Sequence, residues 1–169
     1  MIHWQGDGDE DKWVDEGCAE YAELACGYKD TTETAGETFL MAANVSLTIW
    51  DDLPFDFDQT YLFTTYFAQR FGESTLKAWV ANDLNSIEGV NAVLEPIGNV
   101  RFSELFFDWS AATFFDGAGK LGYERITLGE VDRDTVLVSS RIVRSARLWG
   151  ADFFVLDQPG QYDITLESL

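Results

Sequence analysis

Histidine is almost missing from this chain: 169 residues contain one, His3. No site that needs two histidines can be assembled from the chain alone. Cysteine is nearly as scarce. Two cysteines, Cys18 and Cys26, cannot make a disulfide framework, and a chain of this length buries roughly 70% of its unfolded surface without one. Placed on one helix, they are separated by about 12 Å of rise, beyond disulfide reach, and they read as small core residues. Basic residues number 11 against 30 acidic ones, a formal charge of -19. Such a surface repels phosphate backbones and anionic lipid, which sets nucleic-acid and membrane partners aside. It suits a secreted, extracellular or salt-exposed protein, or one that binds cations. No apolar run approaches the roughly 20 residues of a membrane-spanning helix, and the opening MIHWQGDGDEDKW does not read as a signal peptide. What the chain does have is aromatic and apolar mass. Thirteen Phe and six Trp in a 46% hydrophobic sequence exclude a wholly disordered chain.

The apolar periodicity predicts a helix from Asp11 to about Tyr28, with acids in its first turn and Gly27 as its stop. Further helices are expected over Glu33–Asn44, Gln59–Phe71, Glu73–Asn82, 87–98 behind Ser86, and Ser103–Phe115. The last of these is apolar nearly all round and is expected to be buried. The stretch 46–59 reads as a connecting loop. After Asp116 the character changes. DGAGKLG reads as a linker, and YERITL, DTVLVSS, RIVRSARLW, ADFFVLD and QYDITLES alternate like four or five antiparallel strands. Five of the 11 basic residues lie between Arg125 and Arg147. The expected fold is α+β: a helical unit, residues 1–116, and a small antiparallel β unit, residues 117–169.

Chemistry concentrates on the first helix, in DKWVDEGCAEYAE, residues 11–23. Glu16 and Glu20 are spaced i,i+4, so they share one face with Cβ atoms roughly 6 Å apart. Paired carboxylates at this spacing can ligate a metal with one and orient a neighbouring ligand with the other. The plain alternative is a solvated acidic helix face. Gly17 weighs against that alternative, since a helix-interior glycine costs about 1 kcal/mol relative to Ala. A close approach by another helix is one reason to accept that cost. Asp7-Gly8-Asp9-Glu10-Asp11 begins like a calcium loop, but Lys12 and Cys18 stand at its sixth and twelfth positions. That rules out an EF-hand and leaves an irregular calcium site open.

The run W-V-D-E-G-x-A-E-Y-A-E resembles the W-x-N-E-G-x-A-E-Y motif of gluzincin-type zinc metallopeptidases, the hyicolysin-like group in particular. Thr60-Tyr61-Leu62-Phe63, Tyr66-Phe67-Ala68 and Arg70-Phe71-Gly72-Glu73 are similar to that family's S-Y-L-F-x-x-Y-L-x-x-x-F-G segment. Ser86–Val90 and Phe102–Phe115 resemble its following helices. The resemblance covers about residues 1–116. It implies the helical C-terminal subdomain of a thermolysin-like protease, with Glu16 as third zinc ligand and Glu20 as an acid bonded to a ligand histidine. Tyr61 would polarise the scissile carbonyl or stabilise the oxyanion, or else is a core aromatic. Asp15 stands where the family has Asn, and Phe57 where it often has a further Tyr. The H-E-x-x-H helix, which supplies two zinc histidines and the general base in that family, is nowhere in the chain. His3 falls three residues past the place of the second ligand histidine and reads as structural. The resemblance therefore implies the C-terminal portion of a zinc endopeptidase acting on protein or peptide substrates, itself inactive. Val14, Cys18, Tyr21 and Phe63 would then line an uncovered face prone to self-association. The rival expectation is a non-catalytic acidic module for adhesion or calcium binding.

Overall fold

The computed structural model describes residues 8–137, 143–163 and 165. His3 and Trp4 lie outside them. Among the described residues the chain is rich in helix and carries a few short strands. Helix α1 spans Lys12–Ala25, followed by strand β1 (Thr34–Ala35) and the one-turn α2 (Glu37–Leu40). Then come α3 (Pro54–Phe71), α4 (Glu73–Val80), α5 (Ser86–Gly98) and α6 (Phe102–Phe115). A 3-10 turn at Gly119–Leu121 leads to β2 (Thr127–Leu128), β3 (Asp134–Val136) and β4 (Phe154–Leu156).

Helix α3 is the axis of the molecule: every residue from Gln59 to Ala68 is buried. It begins at Pro54 rather than at Gln59. Pro54 occupies the first turn, where its missing N–H costs nothing. The buried Asp56 carboxylate accepts the N–H groups of Asp51 (3.0 Å) and Leu53 (2.9 Å), so the loop before the helix is tied to its first turn. Around α3 stands an aromatic core. Trp13 of α1 and Phe63 of α3 lie within ring-contact distance of each other and of both Trp79 of α4 and Phe102 of α6. Phe63 also meets Trp109 edge-on at 5.5 Å. Edge-to-face pairs of this kind add about 0.5–1.5 kcal/mol each beyond their burial.

Helix α1 lies along α3 and presents Trp13, Val14, Gly17, Tyr21 and Leu24 to it. A Cβ on Gly17 would sit 2.5 Å from Thr64 Oγ1 and 3.0 Å from the Thr60 carbonyl oxygen. The glycine is thus explained by the approach of a second helix. At its far end α1 closes at Gly27, φ 76°. The Tyr28 N–H reaches the Glu23 carbonyl (2.8 Å) and the Gly27 N–H the Leu24 carbonyl (3.1 Å), a Schellman closure.

Several expectations are corrected. The predicted helix over Glu33–Asn44 shrinks to α2, because Gly36 at φ 77° breaks the chain between β1 and α2. A Cβ there would also strike Leu62 Cδ1 at 2.5 Å. Helix α6 is not buried all round: Phe107 is 80% and Phe115 62% exposed, since its neighbours cover one flank only. The four or five antiparallel strands are not what the described residues form. β1 pairs with β2 in parallel (Thr34 with Thr127, Ala35 with Leu128), and β3 with β4 in parallel (Asp134 with Phe154 to Val136 with Leu156). Alternation reports which face a residue takes, not strand direction, and the turn residues suggested hairpins. The whole helical body separates β1 from β2, and residues 137–153 separate β3 from β4. Either connection is long enough for the crossover that parallel pairing requires. Residues 143–149 form no strand. They run beside 43–47 instead, held by Leu47 N–H to the Trp149 carbonyl (2.8 Å) and Asn44 Nδ2 to the Ser145 carbonyl (2.6 Å). Residues 138–142, 164 and 166–168, expected in strands, lie outside the described residues.

The chain beyond Asp116 is joined closely to the helices. Ile126, Leu128 and Val131 belong to the same buried cluster as Trp13 and Phe63. Trp149 packs edge-on against Phe102 at 4.8 Å and Phe106 at 5.4 Å. The residues expected to line an uncovered face differ in exposure, with Cys18 half-buried. Val14 and Phe63 are fully buried and Tyr21 nearly so. Cys26 is exposed at the end of α1 rather than in the core, and Cys18 is half-buried; both are free thiols.

The Gly17 contact has a measurable consequence. Gly17→Ala should lower the melting temperature by several degrees. Overpacking costs about 1–3 kcal/mol, which outweighs the roughly 1 kcal/mol that alanine gains in helix propensity. Among the described residues the buried Thr64 hydroxyl has no hydrogen-bond partner. Thr64→Ala should therefore be nearly harmless alone and should recover much of the loss in the double variant. Thermal melts of the four proteins in a double-mutant cycle check this; additive losses would disprove the contact.

Candidate functional site

Three carboxylates of α1, Glu16, Glu20 and Glu23, lie at successive turns along one flank. They do not share partners. Glu16 is half-buried, and its carboxylate stands 3.5 Å from Lys12 Nζ, an i,i+4 pair along the helix. Glu20 and Glu23 instead converge on Lys29, which the chain returns to them just after the Gly27 stop. Lys29 Nζ donates to Glu20 Oε2 and lies 3.7 Å from Glu23 Oε2. The same ammonium sits 4.6 Å above the centre of the Tyr61 ring, a cation–π contact.

Glu20, Lys29 and Tyr61 thus come together at one end of a cleft of about 380 Å³. Its other walls are β1, α2, the start of α3 and Ile126. Asp58 of α3 reaches across it to cap α2. Asp58 Oδ2 accepts the Thr38 N–H at 2.8 Å and the Thr38 hydroxyl, with the Phe39 N–H at 3.4 Å. On α2, the Glu37 carboxylate takes the Thr34 hydroxyl. Asp30 and Glu33 stand at the rim, so the cleft is acidic with one internal cation.

Tyr61 is buried, and its hydroxyl is pushed up to about 12, first by burial and then by the Glu20 carboxylate; Arg125 and the Thr65 hydroxyl oppose the shift. At neutral pH it is a hydrogen-bond donor and not a phenolate. Cys18, on the opposite flank of α1, has its thiol pushed up to about 12 by burial and then by Glu10 and Asp15. It is therefore held as an inert thiol.

The structure thus brings Glu20 and Tyr61 together and leaves Glu16 outside their cleft, one turn away. Phe57 is half-buried and meets Trp50 edge-on at 4.8 Å. Reading the sequence missed Lys29 and Asp58. Lys29 carried a signal, a lone cation just past a helix C-terminus, where the helix dipole favours it. Asp58 carried none, since it acts across the fold on a helix 20 residues earlier. The acidic loop before α1 also has a definite role. Glu10 turns inward, and its Oε1 accepts the N–H of Asp11 (2.7 Å) and of Ser86 (2.8 Å). Ser86 Oγ in turn accepts the Trp13 indole N–H at 3.1 Å. The loop latches α1 to the start of α5; Asp7 lies outside the described residues.

No protein-family model matches the chain, and a search of curated proteins gives no match. Among the described residues no three His, Cys, Asp or Glu side chains gather closely enough to hold a metal ion. No helix among them is long and apolar enough to cross a membrane.

Four tyrosines, Tyr21, Tyr61, Tyr66 and Tyr123, have their hydroxyls raised above the ordinary value near 10, in each case mainly by burial. A phenol whose folded pKa exceeds its unfolded one stabilises the fold fully below pH 10. That contribution is lost as pH rises through the folded value, about 12 for Tyr61 and Tyr66. Urea unfolding should accordingly show stability falling between pH 10 and 12, and Tyr61→Phe should make the fall shallower. Phenolate absorbance followed alongside checks the assignment; an unchanged slope would refute it.

Proposed function

We propose that this chain is the C-terminal portion of a zinc-dependent metalloendopeptidase of the gluzincin type, secreted, acting on protein or peptide substrates, and inactive by itself. The observation that carries the reading is the run from Trp13 to Tyr21 on one helix. There Glu16 and Glu20 occupy the same half-buried flank, and Gly17 presses the helix onto the one that carries Tyr61. A ligand carboxylate must sit on a rigid element to hold a metal, and this contact supplies the rigidity.

A gluzincin zinc takes three protein ligands and an open position for water. This chain offers Glu16, and with one histidine in the sequence its own residues do not fit the full set. No hydrolytic step is assigned to the chain as it stands. In a longer enzyme Glu16 would be the third ligand. Glu20 accepts the second ring N–H of a ligand histidine and fixes its orientation. Tyr61, protonated at working pH, donates to the carbonyl oxygen of the substrate.

A second reading, a non-catalytic acidic module for adhesion or calcium binding, is favoured by one observation. The carboxylate that should support a histidine is occupied by Lys29.

The two readings agree that the chain alone is inactive and separate in a variant series. The purified chain should cleave no unfolded protein substrate in a chelator-sensitive way. In a longer protein with an H-E-x-x-H helix upstream, Glu16→Gln should lose tight zinc and nearly all turnover. Glu20→Gln should lose about 10–100-fold in zinc affinity or activity, and Glu23→Gln little. Zinc content and turnover of the three variants decide. Three small, similar effects would remove Glu16 from the metal and leave the acidic module.

A further inference from the structure

Residues 144–151 lie against the helical body without forming a helix or strand of their own. The Asn44 side chain grips them twice. Its Nδ2 donates to the Ser145 carbonyl at 2.6 Å, and its Oδ1 accepts the Arg147 N–H at 3.0 Å. The Leu47 N–H donates to the Trp149 carbonyl (2.8 Å), and the Ala151 N–H to the Ala43 carbonyl (3.3 Å). Arg144, at the start, pairs with Asp134 and Asp152. Between these ties the segment faces water, and Leu148 is 74% exposed. Trp149 turns inward, and its ring meets Phe102 and Phe106 edge-on. That ring is held against a strained backbone. The Gly150 N–H closes a turn on the Arg147 carbonyl at 2.9 Å, which puts Trp149 third in the turn, at φ 56°. Left-handed backbone at that place favours glycine or asparagine, and a bulky side chain there is strained. Capture of the ring by Phe102 and Phe106 offsets the strain. Ring and turn are therefore coupled: once the ring leaves its seat, the turn is free to relax. None of these ties involves α1, α3, α4 or α5, so the segment can lift without breaking a bond in those helices.

We propose that residues 144–151 are a strap that opens as a unit while the helical body stays folded, with Asn44 as its clasp and Trp149 as its plug. Opening uncovers the rings of Phe102 and Phe106, so the strap gates that end of the aromatic core. Local opening of this kind belongs to segments with few buried apolar contacts and with backbone bonds open to water. This inference concerns the chain as it stands and does not depend on the peptidase reading.

Amide hydrogen exchange of the full chain, resolved residue by residue by NMR, tests the strap. The Leu47 and Ala151 N–H groups report on it, since both bond across its seam. The buried amides of α3 from Leu62 to Ala68 report on global unfolding. In the wild type, Leu47 and Ala151 should be protected at least about tenfold less than the α3 amides. Their exchange should respond little to low urea, because a local opening exposes little surface, whereas α3 exchange should respond steeply. Asn44→Ala removes the clasp without touching the bond of either reporter. It should speed exchange at Leu47 and Ala151 about tenfold or more. Leu24→Ala opens a cavity at the far end of α1, where Leu24 is buried. It weakens the closed and open forms of the strap alike relative to the unfolded chain. Exchange of α3 should therefore quicken at least about 30-fold, while Leu47 and Ala151 stay as they were. If Leu24→Ala does not fold, the urea dependence of the wild type gives the independent readout. The proposal is overturned if Leu47 and Ala151 share the protection and urea dependence of α3. It is equally overturned if Leu24→Ala speeds them as much as α3, or if Asn44→Ala leaves them unchanged.

Discussion

The close approach of α1 to α3 at Gly17 is the contact on which the rest of the molecule depends. With no side chain there, the backbone of α1 settles against Thr60 and Thr64. Trp13 and Tyr21 are then carried into the core on either side of the contact. That seating fixes the rotation of α1 about its own axis. The rotation leaves Glu16, Glu20 and Glu23 along one flank. It also brings Glu20 beside Tyr61, which α3 presents from the other side of the same interface. Lys29 arrives at the site because Gly27 ends the helix there and turns the chain back.

Cations are few in this chain, and three of them sit at joints. Lys29 ties the chain after α1 back to its flank. Arg125, from the segment before β2, donates to the Tyr21 hydroxyl and to the Leu24 carbonyl at the end of α1, both at 3.3 Å. Arg144 pairs with Asp134 of β3 and, at 3.7 Å, with Asp152 just before β4. Exposed ion pairs contribute little stability one by one. Placed between segments that would otherwise repel, they decide which acidic surfaces are allowed to meet. The acidic surplus that remains is gathered partly around the cleft.

Much of the helical body was legible in the sequence because helix periodicity and its stops are local signals. Gly27, Gly72 and Asn99 end their helices at or next to the expected places. The interior glycine of α1 signalled a neighbour without saying which. The chain after Asp116 was less legible. Its alternation gave candidate faces, but direction and partner are set by distant segments, as when Thr34 pairs with Thr127. Phe107 shows the opposite error. An apolar residue on an apolar helix reads as buried, yet exposure depends on which flank the neighbours cover. At the site, Glu20 and Tyr61 were visible as residue types in a pattern, whereas their meeting through Lys29 required the turn after α1. Asp58 escaped because a carboxylate that caps another helix across the fold leaves no local trace.

Trp149 closes the aromatic core against Phe102 and Phe106, and the Leu47 N–H bonds to its carbonyl. The residue that seals the core thus comes after every described helix in chain order. During synthesis the helices emerge first, at about 5–20 residues per second. They must wait with the rings of Phe102 and Phe106 open to water. The interval is a window in which the nascent chain is vulnerable to aggregation. Its high like charge is then protective in a way the finished fold no longer needs, since it keeps half-built copies apart until the tryptophan arrives.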